Sequence, residues 1–376
     1  MRFRDVFNEI EKGNYALTDE AVYASIQNGD EFIPLYGGNK DHRSTERRIS
    51  ISAKTKKGVP ITVFSGEGII ISLDGSAGSM TYKSGERFSL NHHAGFITLR
   101  EDAREKVNLE FFAIYLQNFY RNLSVSDGSK TLSLTQIYDE EFNLPAFPVQ
   151  CHALKEIKRI SALIEQLSHC KEELMAILEK DLAIEYKSFQ AKDIPISKCI
   201  DYMSGNSGLT EEFIYHTLQL ETERYDVLSS ATEERTMMGT VPLCKINGHL
   251  LKVFKNKEGL LVTRNGKAGQ TRFLEPGKYT INDHAYILFV KNTSPYEIDL
   301  NWLSIQYRKE FLSYVSSADN GTWNMTGFFQ YTTIDIPDIK EQESLVQSVK
   351  RIQQKIENID SIIKQYNSLL CKELAG

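Results

Sequence analysis

The chain has 376 residues, 41% of them hydrophobic and 25% charged, with a formal net charge of -6. This is ordinary globular composition, long enough for two or three domains; the acidic total by itself speaks against nucleic acid, which only the charge distribution can test. Five cysteines never spaced C-x-x-C disfavour a disulfide framework or a zinc site, no stretch approaches the roughly 18 apolar residues of a membrane span, and the first 20 residues lack a signal-peptide pattern. The expectation is a cytoplasmic protein.

Read in chain order, the sequence soon repeats itself. "GNYALTDEAVY" (Gly13 to Tyr23) returns as "GNSGLTEEFIY" (Gly205 to Tyr215), 192 residues later. "EGIIISLDGSAGSMTY" (Glu67 to Tyr82) returns as "EGLLVTRNGKAGQTRF" (Glu258 to Phe273), at an offset of 191. "FSLNHHAGFITL" and "YTINDHAYILFV", "NLEFFAIYL" and "DLNWLSIQY", and "SLTQI" and "NMTGF" follow in the same order. Repeats at a fixed offset decide the fold before any local reading does. The protein is two copies of one unit.

Within each copy, "GIIISL", "FITL", "LLVT" and "YILFV" are β-branched or aromatic runs bounded by turn residues, and read as strands. "NLEFFAIYLQNFY" and "DLNWLSIQYRKEFLSYV" read as short helices started by Asn or Asp. After Pro148, and again after Pro337, long stretches free of Gly and Pro begin. In the second, Leu345, Val349, Ile352, Ile356, Ile359, Ile363, Tyr366 and Leu370 alternate spacings of four and three. In the first, Ile157, Ile160, Ile164, Leu167, Leu174 and Leu178 keep that rhythm, with Lys171 and Asp181 at weaker positions. Each seam needs a partner, and the nearest is the other. The fold class expected is α+β: two pseudo-repeated mixed domains, at 1–149 and 192–338, separated by long helices at 150–191 and 339–376 that form an antiparallel coiled coil. Such a pair would place two similar heads at opposite ends of a spacer.

Two similar heads on a spacer suit a two-part, periodic target, and duplex DNA is one. Local charge agrees. Residues 39–57 hold Lys40, Arg43, Arg47, Arg48, Lys54, Lys56 and Lys57 against Asp41 and Glu46. Residues 252–278 hold Lys252, Lys255, Lys257, Arg264, Lys267, Arg272 and Lys278 against Glu258 and Glu275. Basic patches in an acidic chain are what a phosphate-facing surface requires.

These residues carry a family resemblance. The order domain, long helix, domain, long helix resembles the specificity subunit of a type I restriction–modification enzyme, with "IPLYGGN", the Gly-x-Ala-Gly turn, "NHHA", "SDGSKTLSL" and "LPAFP" in the first copy, and "TRNGKAG", "NDHA" and "NGTWNMT" in the second. One departure is "VPLCKING" (Val241 to Gly248), which lacks the Tyr-Gly-Gly of "PLYGG". The resemblance implies a non-catalytic subunit in which each target-recognition domain reads half of a bipartite double-stranded DNA sequence. The helices would set the gap and dock two methyltransferase subunits, joined by restriction subunits. S-adenosylmethionine and ATP, where used, would be bound by those partners and not by this chain, which has neither a methyltransferase motif nor a phosphate loop. A type IIB-like or phage-exclusion system would keep the same domains, and a two-headed protein adaptor would keep only the shape.

Candidate DNA contacts are Tyr36, Asn39, Arg43, Arg47, Arg48, Lys54, Lys57, Ser76, Lys83 and Lys130 in the first copy, and Arg264, Lys267, Arg272, Asn320 and Thr322 in the second. Ser76 and Lys267 hold the variable place in the repeated turn, where a shared frame can present different chemistry. Asn91/Asn282 and His93/His284 coincide between copies and do one job twice. Trp302, opposite Phe111, reads as core. Asp181, Glu185 and Lys187 loosely resemble a nuclease cluster, but at the end of a long helix they read as surface charge.

Overall fold

The computed structural model describes residues 1–17, 20, 23, 31–127, 129–179, 185–217, 223–229, 237–316 and 321–373. They form two compact units, Met1–Ser168 with Ile362–Gly376, and His169–Ser361.

The first unit opens with α1 (Phe3–Val6), β1 (Glu11–Lys12), β2 (Phe32–Tyr36) and β3 (Arg48–Ser50). Next come β4 (Gly68–Ser72), β5 (Met80–Lys83), β6 (Ser89–Leu90) and β7 (Ala94–Ile97). Helices α2 (Leu109–Tyr115) and α3 (Gln117–Asn122), hairpin β8 (Val125–Asp127) and β9 (Ser129–Thr131), and α4 (Leu134–Asp139) lead into α5 (Phe147–Glu179). One sheet runs β1-β7-β4-β5, all antiparallel. A second runs β3-β2-β6, with β2 and β6 parallel. All five residues of β4 are buried: Ile69 and Ile71 pack with Phe112 of α2, while Ile70 faces Phe64, Phe88 and Phe96. A strand covered on both faces reads as a continuous apolar run, which is why "GIIIS" does not alternate.

The second unit contains β10 (Phe189–Pro195), β11 (Ile200–Ser204), α6 (Glu211–His216), β12 (Arg224–Leu228) and β13 (Met237–Pro242). It continues through β14 (Lys245–Ile246), β15 (His249–Leu250), β16 (Phe254–Lys255), β17 (Gly259–Thr263), β18 (Thr271–Leu274), β19 (Lys278–Ile281) and β20 (Ala285–Val290). It closes with α7 (Leu300–Gln306), α8 (Arg308–Ser313), α9 (Met325–Tyr331), β21 (Thr333–Pro337) and α10 (Ile339–Glu373). Sheet β11-β20-β17-β18 repeats β1-β7-β4-β5, and β12 lies parallel to β19 as β2 does to β6. Strands β4 and β5 and helices α2 and α3 have counterparts β17, β18, α7 and α8 whose bounds agree residue for residue at an offset of 191. The helix starts repeat as well. Asn108 and Asp299 accept backbone N–H bonds at α2 and α7, and Ser133 and Asn324 do so at α4 and α9.

Three expectations change. The segment equivalent to "IPLYGG" is β12 and not "VPLCKING": Tyr36 pairs with Leu90 as Leu228 pairs with Ile281. The offset there is 192, as it is for Gly13 and Gly205, but "RYDVL" shares shape and not letters with "FIPLY", which hid that correspondence. The first long helix, expected over 150–191, begins at Phe147, with Pro148 in its first turn where a missing N–H costs nothing. It ends at Glu179, and Phe189 already pairs with Pro337 in an antiparallel ladder. Glu185 and Lys187 are exposed past the helix end, and Asp181 lies outside the described residues.

Helices α5 and α10 carry the seams read from the heptads. In α10 all eight seam positions, Leu345 to Leu370, are buried or half-buried. In the second unit Lys171 Nζ meets Asp360 Oδ1 at 2.6 Å, and Leu178 packs on the cluster holding Leu345, Val346 and Val349. Positions that rise along α5 fall along α10, so the helices are antiparallel. In the first unit Leu370 packs with Ala153, Leu154 and Ile157.

Near the start of each long helix sits a fully buried glutamine. Gln150 accepts from Asn108 N (2.8 Å) and donates to Lys106 O and Pro145 O (2.8 Å each). Gln342 accepts from Asp299 N (2.8 Å) and donates to Glu297 O (2.9 Å) and Pro337 O (2.8 Å). Each amide closes the gap between a long helix and the N-cap of its unit's α2-type helix. Replacing Gln150 or Gln342 by Leu strands three backbone groups and should cost about 3 kcal/mol. Denaturant unfolding of the variants checks this, and unchanged stability would refute it.

Candidate nucleic-acid interface

The repeated turn is built by its glycines. Gly75 and Gly266 have φ of 71° and 80°, and Gly78 and Gly269 have 81° and 77°, values that residues with a Cβ seldom adopt. Gly78 N donates to Ser72 O and Gly269 N to Thr263 O, both at 2.8 Å. A Cβ on Gly78 would lie 2.5 Å from Arg121 N at α3, and one on Gly269 would lie 2.7 Å from Phe311 O at α8. The last glycine is therefore required by contact with a helix as well as by its conformation.

Two further loops meet this turn. In the first unit, Ser76 N donates to Gly38 O (3.2 Å) and Ser72 Oγ to Asn39 O (2.6 Å), which brings in the loop after β2. On another side Leu132 N donates to Leu73 O (2.8 Å), and Thr131 bridges Asp74. In the second unit, Trp323 N donates to Arg264 O (2.8 Å), and Thr322 Oγ1 donates to Asn265 Oδ1 (3.2 Å).

The paired Asn and His residues now have roles. Asn91 Oδ1 accepts from His93 N (3.1 Å) and Asn282 Oδ1 from His284 N (3.2 Å), each forming an Asx turn. His93 Nδ1 lies 2.9 Å from Asp74 Oδ2, and His284 Nδ1 lies 3.0 Å from Asn265 Nδ2. Asp74 and Asn265 occupy one place in the frame, so each histidine ring leans on the turn beside it. Trp302 is core, fully buried with Nε1 donating to Tyr186 Oη (2.9 Å).

The candidates fall into three groups. Asn39 (exposed), Ser76 (half-buried) and Lys130 (exposed, on β9) gather round the first turn. Arg264, whose Nη1 donates to Asp283 O (3.2 Å), gathers with Lys267 and Thr322 round the second. Arg43, Arg47, Arg48, Lys54 and Lys57 lie exposed along the loop after β2, strand β3 and the loop after it. Arg43 pairs with Asp41, Arg48 donates to Phe32 O (2.8 Å), Lys54 bridges Pro60 and Lys57 lies 5.8 Å over the Tyr15 ring. Arg272 is half-buried on β18. Asn320 lies outside the described residues.

Tyr36 and Lys83 are corrections. They are 2% and 7% exposed and bond each other, Lys83 Nζ donating to Tyr36 Oη at 2.8 Å. Their side chains face the gap between the two sheets, so neither reaches a nucleic acid from the surface. Sequence reasoning also passed over Tyr15 and His92. Tyr15 is exposed, and its ring lies 5.3 Å from that of His92, whose own ring is 3.8 Å from that of His93 at a tilt of 41°. Burial and the neighbouring His93 hold His92 below the usual imidazole range, against the opposing pull of Asp74. The signal for it was the one position where "NHHA" and "NDHA" differ.

Residues 1–176 match the family model described as the type I restriction modification DNA specificity domain. The first unit is thus similar to a type I restriction–modification DNA specificity domain. The second unit repeats the four-stranded sheet and the paired helices of the matched unit. Three solved structures share the fold over 100% of this chain. One is a type I restriction–modification S subunit from M. genitalium, at 13% identity and TM-score 0.50 over 94% of that chain. Another is the HsdS subunit from Thermoanaerobacter tengcongensis, at 13% identity and TM-score 0.53 over 96% of that chain. A third, from a structure of complex assembly and conformational transition in the type I system, has 12% identity and TM-score 0.60 over 96% of that chain. No curated protein matches by sequence. The first unit is therefore similar to that specificity domain in sequence, and the whole chain shares its fold with the three structures.

Among the described residues no group of three or more His, Cys, Asp or Glu could hold a metal ion, and no helix is long and apolar enough to cross a membrane. All five cysteines are free.

Substituting Ala at Gly78 or Gly269 should displace the turn from α3 or α8, because both conformation and space are refused. A stability loss of about 3 kcal/mol is expected, against about 1 to 2 at Gly85, whose φ of 76° is equally unfavourable but whose Cβ position nothing approaches. Thermal unfolding of the three variants measures the contrast, and equal losses would contradict it.

Proposed function

We propose that each unit reads one half of a bipartite duplex target, and that α5 and α10 set the separation of the halves. The observation that carries this is the repeated loop cluster with altered side chains. Ser76 is replaced by Lys267, Asp74 by Asn265 and His92 by Asp283 on a backbone that otherwise coincides. A fixed frame with exchanged donors and acceptors is what two readers of different sequences need, since base contacts specify while backbone contacts position. Arg43, Arg47, Arg48, Lys54 and Lys57 would supply phosphate contacts beside the first turn, and Arg264, Lys267 and Arg272 beside the second.

In this reading the chain performs no methyl transfer or cleavage. Two methyltransferase subunits dock on the helices and bind S-adenosylmethionine, restriction subunits bind ATP, and the complex works in the cytoplasm on double-stranded DNA. The similar structure from a study of type I complex assembly supports such docking.

The full chain with its methyltransferase partner should bind duplex DNA with affinity that falls linearly on a log–log plot against salt. Absent or salt-insensitive binding would favour a protein adaptor and sink this reading. Deleting one heptad from facing parts of α5 and α10 shortens each by about 10 Å, or about three base pairs. Methylation mapping should then show a changed spacer between unchanged half-sites; altered half-site bases would contradict the proposal.

A further inference from the structure

The loop of residues 37–43 is shaped from beneath by buried polar side chains. His42 is fully buried; its Nε2 lies 2.8 Å from Gly37 O and 3.2 Å from Ser72 Oγ, while Nδ1 lies 3.3 Å from Thr81 Oγ1. Ser72, also fully buried, donates through Oγ to Asn39 O at 2.6 Å. Lys83 donates to Arg43 O at 3.3 Å and to Tyr36 Oη, pairs with Glu86, and lies 4.5 Å over the Tyr36 ring. The carbonyls of residues 37, 39 and 43 are thus each bonded by a different interior side chain. Asn39, Lys40 and Arg43 point the other way and are exposed. Burial keeps His42 below the usual imidazole range and so neutral, with one ring N–H to give to Gly37 O and one lone pair to accept from Thr81.

In the second unit the described positions equivalent to Tyr36 and Lys83 are apolar. Leu228 stands where Tyr36 does and Leu274 where Lys83 does, 5% and 4% exposed, in one apolar cluster with Phe254, Leu261 and Ile281. Thr263 replaces Ser72. The frame therefore folds with two leucines at these sites, and a desolvated ammonium group costs free energy that an apolar pair does not. Stability of the sheet does not account for Lys83.

We infer that Lys83, His42 and Ser72 are positioning residues for half-site selection by the first unit: they touch no DNA, but fix the path of residues 37–43 so that Asn39, Lys40 and Arg43 meet it in one geometry. This rests on the reading of that unit as a half-site reader. A loop held through its carbonyls cannot slide along the groove, and its exposed side chains arrive already ordered.

The test is selection from a randomised duplex pool by the full chain with its methyltransferase partner. The wild type should enrich two half-sites. The double variant Tyr36→Leu/Lys83→Leu, which copies the second unit, should fold with a similar Tm and enrich the second half-site unchanged. Its discrimination in the first half-site should fall by about tenfold, the worth of one base contact, while the salt slope stays the same. Ser72→Ala removes only the support of Asn39 and should weaken the same half-site less, so a failure of the double variant to fold leaves a second measurement that decides. First-half preferences unchanged in folded Ser72→Ala or in the folded double variant overturn the inference. Failure of the wild type to enrich any half-site overturns the underlying reading instead.

Discussion

Everything distinctive about this molecule depends on how firmly each long helix is joined to its own recognition domain, and a single buried amide makes that joint twice. Gln150 and Gln342 each spend both donor hydrogens and an acceptor on backbone groups that would otherwise be desolvated and unpaired. Apolar packing at the same place is non-directional and would tolerate rotation of the helix. Three hydrogen bonds from one planar group do not. The direction in which α5 leaves the first unit, and α10 the second, is set before any seam residue makes contact.

Around that joint the two copies share a skeleton and diverge in chemistry. The glycine turn, the Asx turn at Asn91 and Asn282 and the capped helices recur with nearly the same distances. The substitutions gather where the three loops meet and in the layer under residues 37–43. Direct contact and support from below are separate ways to alter what a loop presents, and the first unit holds buried polar groups where the second holds leucines. A reader made by copying a domain can change at either level without disturbing the sheet.

The fold was legible because duplication doubles the signal. One glycine turn is weak, but two at a constant offset, each followed by strand, helix and heptad run, leave few architectures open. The heptads placed the seam residues correctly, Lys171 included, because helical period survives any change of partner. The site was less legible. Tyr36 and Lys83 resemble an exposed aromatic and cation in the sequence, and only pairing of β4 with β5 turns Lys83 inward. Gln150 and Gln342 gave no local signal, since a glutamine on a helix reads as surface until the backbone groups around it are known. The β12 correspondence was missed because side chains buried between sheets need to agree in volume more than in identity.

The ion pair of Lys171 with Asp360 interrupts an otherwise apolar seam. A seam of Ile and Leu alone accepts several alignments, each displaced by a whole heptad, with little difference in energy. One cation that meets its anion in only one alignment removes that degeneracy, as polar residues in helical seams do elsewhere. The pair thereby acts as a detent, favouring one alignment of the two helices where they meet in the second unit.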